Sequence, residues 1–416
     1  MKAVDKWITY GVVLLLFVGF GCSDSFTDTL TSSLDINDKI KSNYLIISVR
    51  LYGAGSVVGP FVSCLLSQFL SPRVTTLFSA FVIGVGACTL AMGPPMEVFV
   101  FGMAALGIGI SMGRTIAISI LIQFRESAMI GIMYGFGSVG QTLAPFLLRL
   151  IQHFTTWKHF FWIFLAYFGA MGIVQFFAFR RLVLAGSKGD VLPLKQKWRA
   201  VVVDKKLWKR ILSLTLSQLI TETWAHWMST YVKEIKKLTF STLSVGAFEL
   251  AIYRSGATVS MLCFSHLYCR VGYKRSNLAL LWLTCAFLLI IDEVRGIVPV
   301  SILNAFIGAS LAPTLPNMWG SISREIDLTL IQSTVSLALG VSTTGVIVGP
   351  LAVSYIVEDF GIDALVGVSI VMAFMASLSN IHDPLDLVHT IKALPRRALD
   401  RLQRIRKRAT SKHAIE

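Results

Sequence analysis

Charge is scarce in this chain, and so is any pattern on which catalysis outside a membrane could be built. Only 15% of its 416 residues are Asp, Glu, Lys or Arg, against about a quarter in soluble domains. The sequence has no Gly-rich phosphate loop, no His/Cys cluster at metal-ligand spacing and no Ser/His/Asp arrangement outside apolar sequence. An enzyme is therefore disfavoured, and no metal or cofactor is implied. The six cysteines (Cys22, Cys64, Cys88, Cys263, Cys269, Cys285) fall within or at the edges of apolar segments, with no CxxC pair. They read as small packing residues, not as a disulfide framework.

What fills the chain instead is apolar sequence: 54% of residues are hydrophobic and the mean hydropathy is +0.69. A spanning helix needs roughly 20 mainly apolar residues. Twelve such stretches are read near 7–31, 44–68, 74–93, 97–123, 128–152, 157–182, 208–232, 241–269, 276–294, 296–320, 329–357 and 361–380. The fold expected is all-α and integral to a membrane. It comprises an amino-terminal six-helix half (1–182), a basic linker (183–207), a carboxy-terminal six-helix half (208–380) and a basic tail (381–416). The first run, from Trp7, lacks a small-residue cleavage site and leads into polar Asp24, Ser25 and Asp28, so it reads as a retained helix.

A net charge of +15 could suggest nucleic acid, but its distribution does not. Ten Lys/Arg lie from Arg180 to Arg210 and nine from Lys392 to Lys412, both just beyond apolar segments. Lys2, Lys6, Arg73, Arg125, Arg270, Lys274, Arg275 and Arg324 fall on that same side of the twelve-span layout. By the positive-inside rule, both termini are expected in the cytoplasm. In the tail, Leu385, Val388, Ile391, Leu394, Leu399, Leu402 and Ile405 alternate with Arg. That spacing suits an amphipathic helix on anionic lipid, or a basic tail that only fixes topology.

Glycines cluster on four spans: Gly53, Gly55 and Gly59; Gly102, Gly107, Gly109 and Gly113; Gly131, Gly135, Gly137 and Gly140; Gly340, Gly345 and Gly349. Small residues at this spacing let helix backbones approach closely. They suit surfaces that slide in a conformational cycle, and a static bundle equally.

In the fifth span, Phe124-Arg125, Ala128, Gly131, Gly135, Gly137-Ser138-Val139-Gly140 and Leu143-Ala144-Pro145, followed by Trp157, resemble the corresponding segment of monocarboxylate transporters. Ser229-Thr230-Tyr231-Val232-Lys233-Glu234, Ala247-Phe248-Glu249-Leu250-Ala251-Ile252 and Gly345-Val346-Ile347-Val348-Gly349-Pro350-Leu351 with Phe360-Gly361 continue the match in order. The chain resembles a divergent member of that family, which belongs to the major facilitator superfamily. The resemblance implies a carrier of a small monocarboxylate, or a related organic solute, working by alternating access. Symport with protons is part of that implication. With no mitochondrial presequence or retention signal read, the plasma membrane is the expected address. A non-transporting receptor or accessory subunit of the same fold is the alternative. The family's opening signature survives only as Asp5 and Trp7. Its charges in the first and eighth helices, a Lys and an Asp–Arg pair, align with Asp24, Ala257 and Met261. Lactate chemistry therefore does not carry over unchanged.

Other charges stand in their place. Each charge at bilayer depth costs at least roughly 2.5–3.5 kcal/mol, so each needs a reason. Arg254 lies about one turn from the aligned Asp position and is read as the anion-binding residue, or else as the partner of Glu222 or Asp24 across the halves. Arg114, after Gly113, is read as pointing into a central cavity, with a helix carbonyl or the inner interface as the alternative. Asn317, beside Pro316, is read as lining the cavity of a broken helix. Asp24, Glu222 and His226 are proton carriers or the neutralising partners of Arg50, Arg114 and Arg254.

Overall fold

The computed structural model describes residues 3–33, 39–93, 95–155, 158–181, 193–236, 245–362 and 364–380. The basic tail, Trp157 and the Gly-containing part of the linker lie outside the described residues. The described residues form fourteen α-helices and no strand. The amino-terminal set is α1 (Ala3–Ser33), α2 (Lys39–Phe69), α3 (Pro72–Ala91), α4 (Met96–Gln123), α5 (Ser127–Phe154) and α6 (Lys158–Ala178). The short α7 (Leu194–Val203) leads into the carboxy-terminal set. This comprises α8 (Lys205–Glu234), α9 (Val245–Val271), α10 (Tyr273–Glu293), α11 (Ile297–Leu311), α12 (Thr314–Glu325), α13 (Ile331–Phe360) and α14 (Ala364–Asn380). Seven helical stretches are long and apolar enough to cross a bilayer by length and composition alone. Of the other expected spans, α14 has only 17 residues, and α8 has Glu222 and His226 within it.

One pattern of packing recurs. Within the first set α1 packs on α5, α2 on α4 and α3 on α6; within the second α8 packs on α13, α9 on α11 and α10 on α14. The sets meet along two main seams, α5 against α9 and α2 against α13. Successive spans, with α11 and α12 counted as one, alternate in direction, so one end of the bundle gathers Lys6, Arg73, Glu126, Arg210 and Glu325; we call it the basic end. There Lys6 pairs with Glu126 and Arg210 with Glu325, the latter at 2.8 Å.

Glycines weld each set more than they lubricate the seams. A Cβ at Gly21 would overlap the Gly137 carbonyl oxygen, and one at Gly140 the Val18 carbonyl oxygen, so α1 and α5 touch backbone to backbone. Gly55, Gly59 and Gly107 do the same between α4 and α2, as do Gly256 and Gly308 between α9 and α11. Across the seams, Gly131, Gly135 and Gly340 face mainly the side chains of Ser265, Leu262 and Phe61. Backbone contact is rigid, whereas side chains can repack.

Two features depart from the expected spans. The tenth is not one helix: it breaks between α11 and α12 at Ala312–Pro313. The linker is not featureless either. In α7, Lys197 is buried, and Trp198 stacks on Phe61 of α2 at 5.8 Å. Asp204 then caps α8, accepting from the backbone N–H of Lys206 at 2.8 Å.

One buried apolar core runs through the amino-terminal set and crosses into the carboxy-terminal set at the basic end. It joins Ile118 and Leu121 of α4, Ile130 and Met133 of α5, Met318, Trp319 and Ile322 of α12, and Val335 and Leu339 of α13. The second large core, around Trp224, Tyr253 and Leu288, holds only carboxy-terminal residues. The two sets are thus sealed together at the basic end and part towards the other.

Candidate substrate cavity

Where the sets part lies a cavity of about 460 Å³, large enough for a drug-sized organic molecule. Its mouth is marked by Arg50 and Glu358, both exposed. Its floor is made by Tyr134, Met261, Ala312 and Leu315, beside the α11–α12 break. Phe17, Trp227, Ile347 and Leu351 give it apolar walls. Among the lining residues, Arg50, Arg114 and Arg254 face three carboxylates, Asp24, Glu222 and Glu358, with His226 beside them.

Asp24 and Arg114 come together from α1 and α4, Oδ2 to Nη2 at 2.6 Å, and the Tyr52 hydroxyl of α2 donates to Asp24 Oδ1 at 2.8 Å. The second pair is Glu222 of α8 and Arg254 of α9, with Nη2 at 3.2 Å from Oε2. Arg254 is nearly buried, while about a fifth of the Glu222 side chain is open to the cavity. The acids occupy corresponding helices of the repeat, α1 and α8; the arginines do not. Arg254 thus pairs within its own set, not across the interface. Its backbone does reach across: the Ser138 hydroxyl of α5 donates to the Arg254 carbonyl at 3.1 Å. His226 lies one turn beyond Glu222, exposed to the cavity and edge-on to Trp227 at 5.7 Å.

Five of the six residues singled out by the sequence for a role line this cavity: Asp24, Arg114, Glu222, His226 and Arg254. Asn317 does not. It lies beyond the break, 4% exposed, outside the residues that line the space. Ala312 and Leu315 are the residues that the break brings to the cavity floor. Arg50 also lines the mouth. Tyr52 was not singled out, since an uncharged hydroxyl leaves no mark in apolar sequence. Among the described residues, no group of His, Cys, Asp and Glu could hold a metal ion.

A family model described as Major Facilitator Superfamily matches residues 9–327. The chain belongs to the Major Facilitator Superfamily. No curated protein matches the sequence as a relative. Among solved structures, the human organic anion transporter MFSD10 superposes with a TM-score of 0.74 at 13% identity, covering 91% of this chain and 100% of that one. The proton:xylose symporter XylE, bound to 6-bromo-6-deoxy-D-glucose, gives 0.72 at 12% identity, covering 91% and 95%. A bacterial homologue of the iron transporter ferroportin, in its outward-facing state, gives 0.70 at 14%, covering 89% and 98%. These identities establish the fold alone. This major facilitator protein is a multi-pass membrane protein with the architecture of a secondary transporter, in which two helix sets flank one central cavity.

Proposed function

We propose that this protein is a secondary transporter of a small monocarboxylate or related organic anion, and that Arg254 takes the carboxylate of its substrate. The observation that carries this reading is the Glu222–Arg254 pair. Glu222 is a carboxylate held against a cavity-wall guanidinium, the position that a substrate carboxylate would take. Its contact is longer than that of Asp24 with Arg114, and Asp24 is further held by Tyr52. Exchange is therefore easier at Arg254. A guanidinium donates two N–H groups to a carboxylate, so an incoming anion regains what Glu222 gives up.

Once displaced, Glu222 is a charge without a partner in a cavity of mixed polarity. Uptake of one proton neutralises it, and the site then carries anion and proton together. Arg114, fixed by Asp24 and Tyr52, supplies the facing positive wall. The halves 1–182 and 208–380 rock about this site, joined by the linker 183–207, with termini and basic tail in the cytoplasm. The tail rests on anionic lipid, and the plasma membrane is the address. The ordered monocarboxylate-transporter motifs support that substrate class, and an organic anion is also what the human transporter of the same fold carries by name.

The test is uptake into liposomes holding only this protein, over a panel of labelled monocarboxylates, amino acids and neutral metabolites at two pH values. Arg254→Gln abolishes uptake of the accepted anion. Glu222→Gln removes the competing carboxylate, tightens the anion by about tenfold (about 1.4 kcal/mol) and removes the pH dependence. Unchanged uptake by Arg254→Gln, with the variant correctly inserted, would exclude the anion role. Liposomes that accumulate nothing would favour a receptor or accessory subunit.

A further inference from the structure

Glu249 stands outside the cavity and outside the transport reading given above. It is the fifth residue of α9 and wholly buried. Its two carboxyl oxygens are held from α11: the Ser301 hydroxyl donates to Oε1, and Asn304 Nδ2 donates to Oε2 at 3.0 Å. Asn304 Nδ2 also reaches the Glu249 backbone carbonyl at 2.9 Å. Its other end is fixed by α8, since the Trp224 indole N–H donates to Asn304 Oδ1 at 3.2 Å. An indole donates only. Trp224 therefore dictates which end of the amide turns to Glu249.

No cation takes part among the described residues: the groups that interact with the Glu249 carboxyl are neutral, Ser301 and Asn304. α11 has no ionisable side chain. On α8, Glu222 and His226 flank Trp224 but line the cavity, and further along α9 Arg254 is engaged by Glu222. On α10, Asp292 accepts from Tyr231. On α5, His153 is exposed; on α12, Arg324 and Glu325 lie at the basic end; on α1, Asp24 sits on Arg114. A buried carboxylate without a cation is expensive and ordinarily binds a proton.

The shell around Glu249 serves both protonation states. Asn304 can only donate to Oε2. The Ser301 hydroxyl can donate to a carboxylate or, after turning, accept from a carboxylic acid. Neither state leaves an oxygen unpaired.

We propose that Glu249 is a reversible proton-binding site, set behind the Glu222–Arg254 pair and separate from the substrate cavity. The proton comes from water and adds to Oε1, whose O–H then bonds Ser301. Both donors sit on α11, which runs into the break at Ala312–Pro313. The glycine contacts that weld α9 to α11 keep both donors on the carboxyl, beside the helix that leads to the cavity floor.

The test needs no substrate: infrared spectroscopy of the carboxyl C=O region on the purified full chain. Wild type shows a protonated-carboxyl absorption that is lost as pH is raised. Glu249→Gln loses one carboxyl equivalent of it, and Glu222→Gln keeps it. Should Glu249→Gln fail to fold, Ser301→Ala carries the test, because losing one hydrogen bond shifts the band to higher frequency. The proposal is overturned if neither variant alters the absorption, if it does not vary with pH, or if Glu222→Gln removes it. An absence of anion uptake leaves this outcome untouched, so the two readings fail separately.

Discussion

Asp24 accepts from Arg114 at 2.6 Å and from Tyr52 at 2.8 Å, so a single carboxylate ties α1 to α4 and α2. Replacing it with Asn keeps an acceptor but leaves a guanidinium without its counter-charge. Because the pair is partly open to the cavity, water softens that loss. The expected cost is about 1–3 kcal/mol, read as a lower melting temperature of Asp24→Asn in detergent. At the basic end, Glu126 offers a pH effect with a definite sign. Burial raises its carboxyl, but the Lys6 ammonium outweighs this and holds it below the usual carboxylate range. A carboxylate held low stabilises the fold above its unfolded value of about 4.3, and that stability is lost as pH falls through the lower folded value. Acid melts of wild type and Glu126→Gln should therefore converge below about pH 4 and separate above it. Both side chains are more than a third exposed, so the gap is modest. The charges that line the cavity were legible in the sequence, because a charge in apolar sequence demands a partner. Which partner was not legible. Spacing alone could not tell whether Arg254 would find Glu222 within its own set or Asp24 across the cavity.

At the scale of the helix, most expected spans coincide with observed helices to within a few residues, since length and hydropathy set them. A break in the tenth span is read beside Pro316 but falls at Ala312–Pro313, because proline alone does not mark the place. Pro60, Pro145 and Pro350 all stay inside continuous helices, whereas Pro313 lies in an interruption. Neighbouring helices can re-satisfy the groups that a membrane proline frees, so the outcome depends on tertiary contacts. The order of α7 was hidden for a related reason: its docking rests on Trp198 against Phe61, a contact far apart in sequence. The glycine patterns were legible as close contacts, but not as contacts within a set. That distinction is testable. Gly21→Val drives α1 from α5 and should cost about 1–3 kcal/mol or more. Gly11→Val on the same helix meets nothing within 4 Å and should stay within about 0.5 kcal/mol. Comparable melting curves for the two variants would contradict backbone welding.

For the molecule as a whole, rigid sets and repackable seams suit rocking about the cavity. The α2–α13 seam offers a direct lock. Cys64 Sγ lies 3.7 Å from Ser333 Oγ, so Ser333→Cys should form a disulfide with Cys64 under mild oxidation. Uptake should then stop and return on reduction, with the cross-link confirmed by mass spectrometry. Full uptake by the cross-linked protein would mean that this seam never opens. The all-α membrane plan was legible from the apolar stretches. The asymmetric seal, closed at one end only, was not, because apolar residues at a seam read the same whether it is shut or open.

That seal has a thermal consequence. Opening the basic end would wet part of an apolar core that now runs unbroken from Ile118 to Leu339. Wetting apolar surface near room temperature costs mainly entropy and raises the heat capacity. The equilibrium between the two openings should then bend with temperature instead of following a straight van't Hoff line. Cooling weakens the seal, so in the cold this protein leans toward exposing its other face.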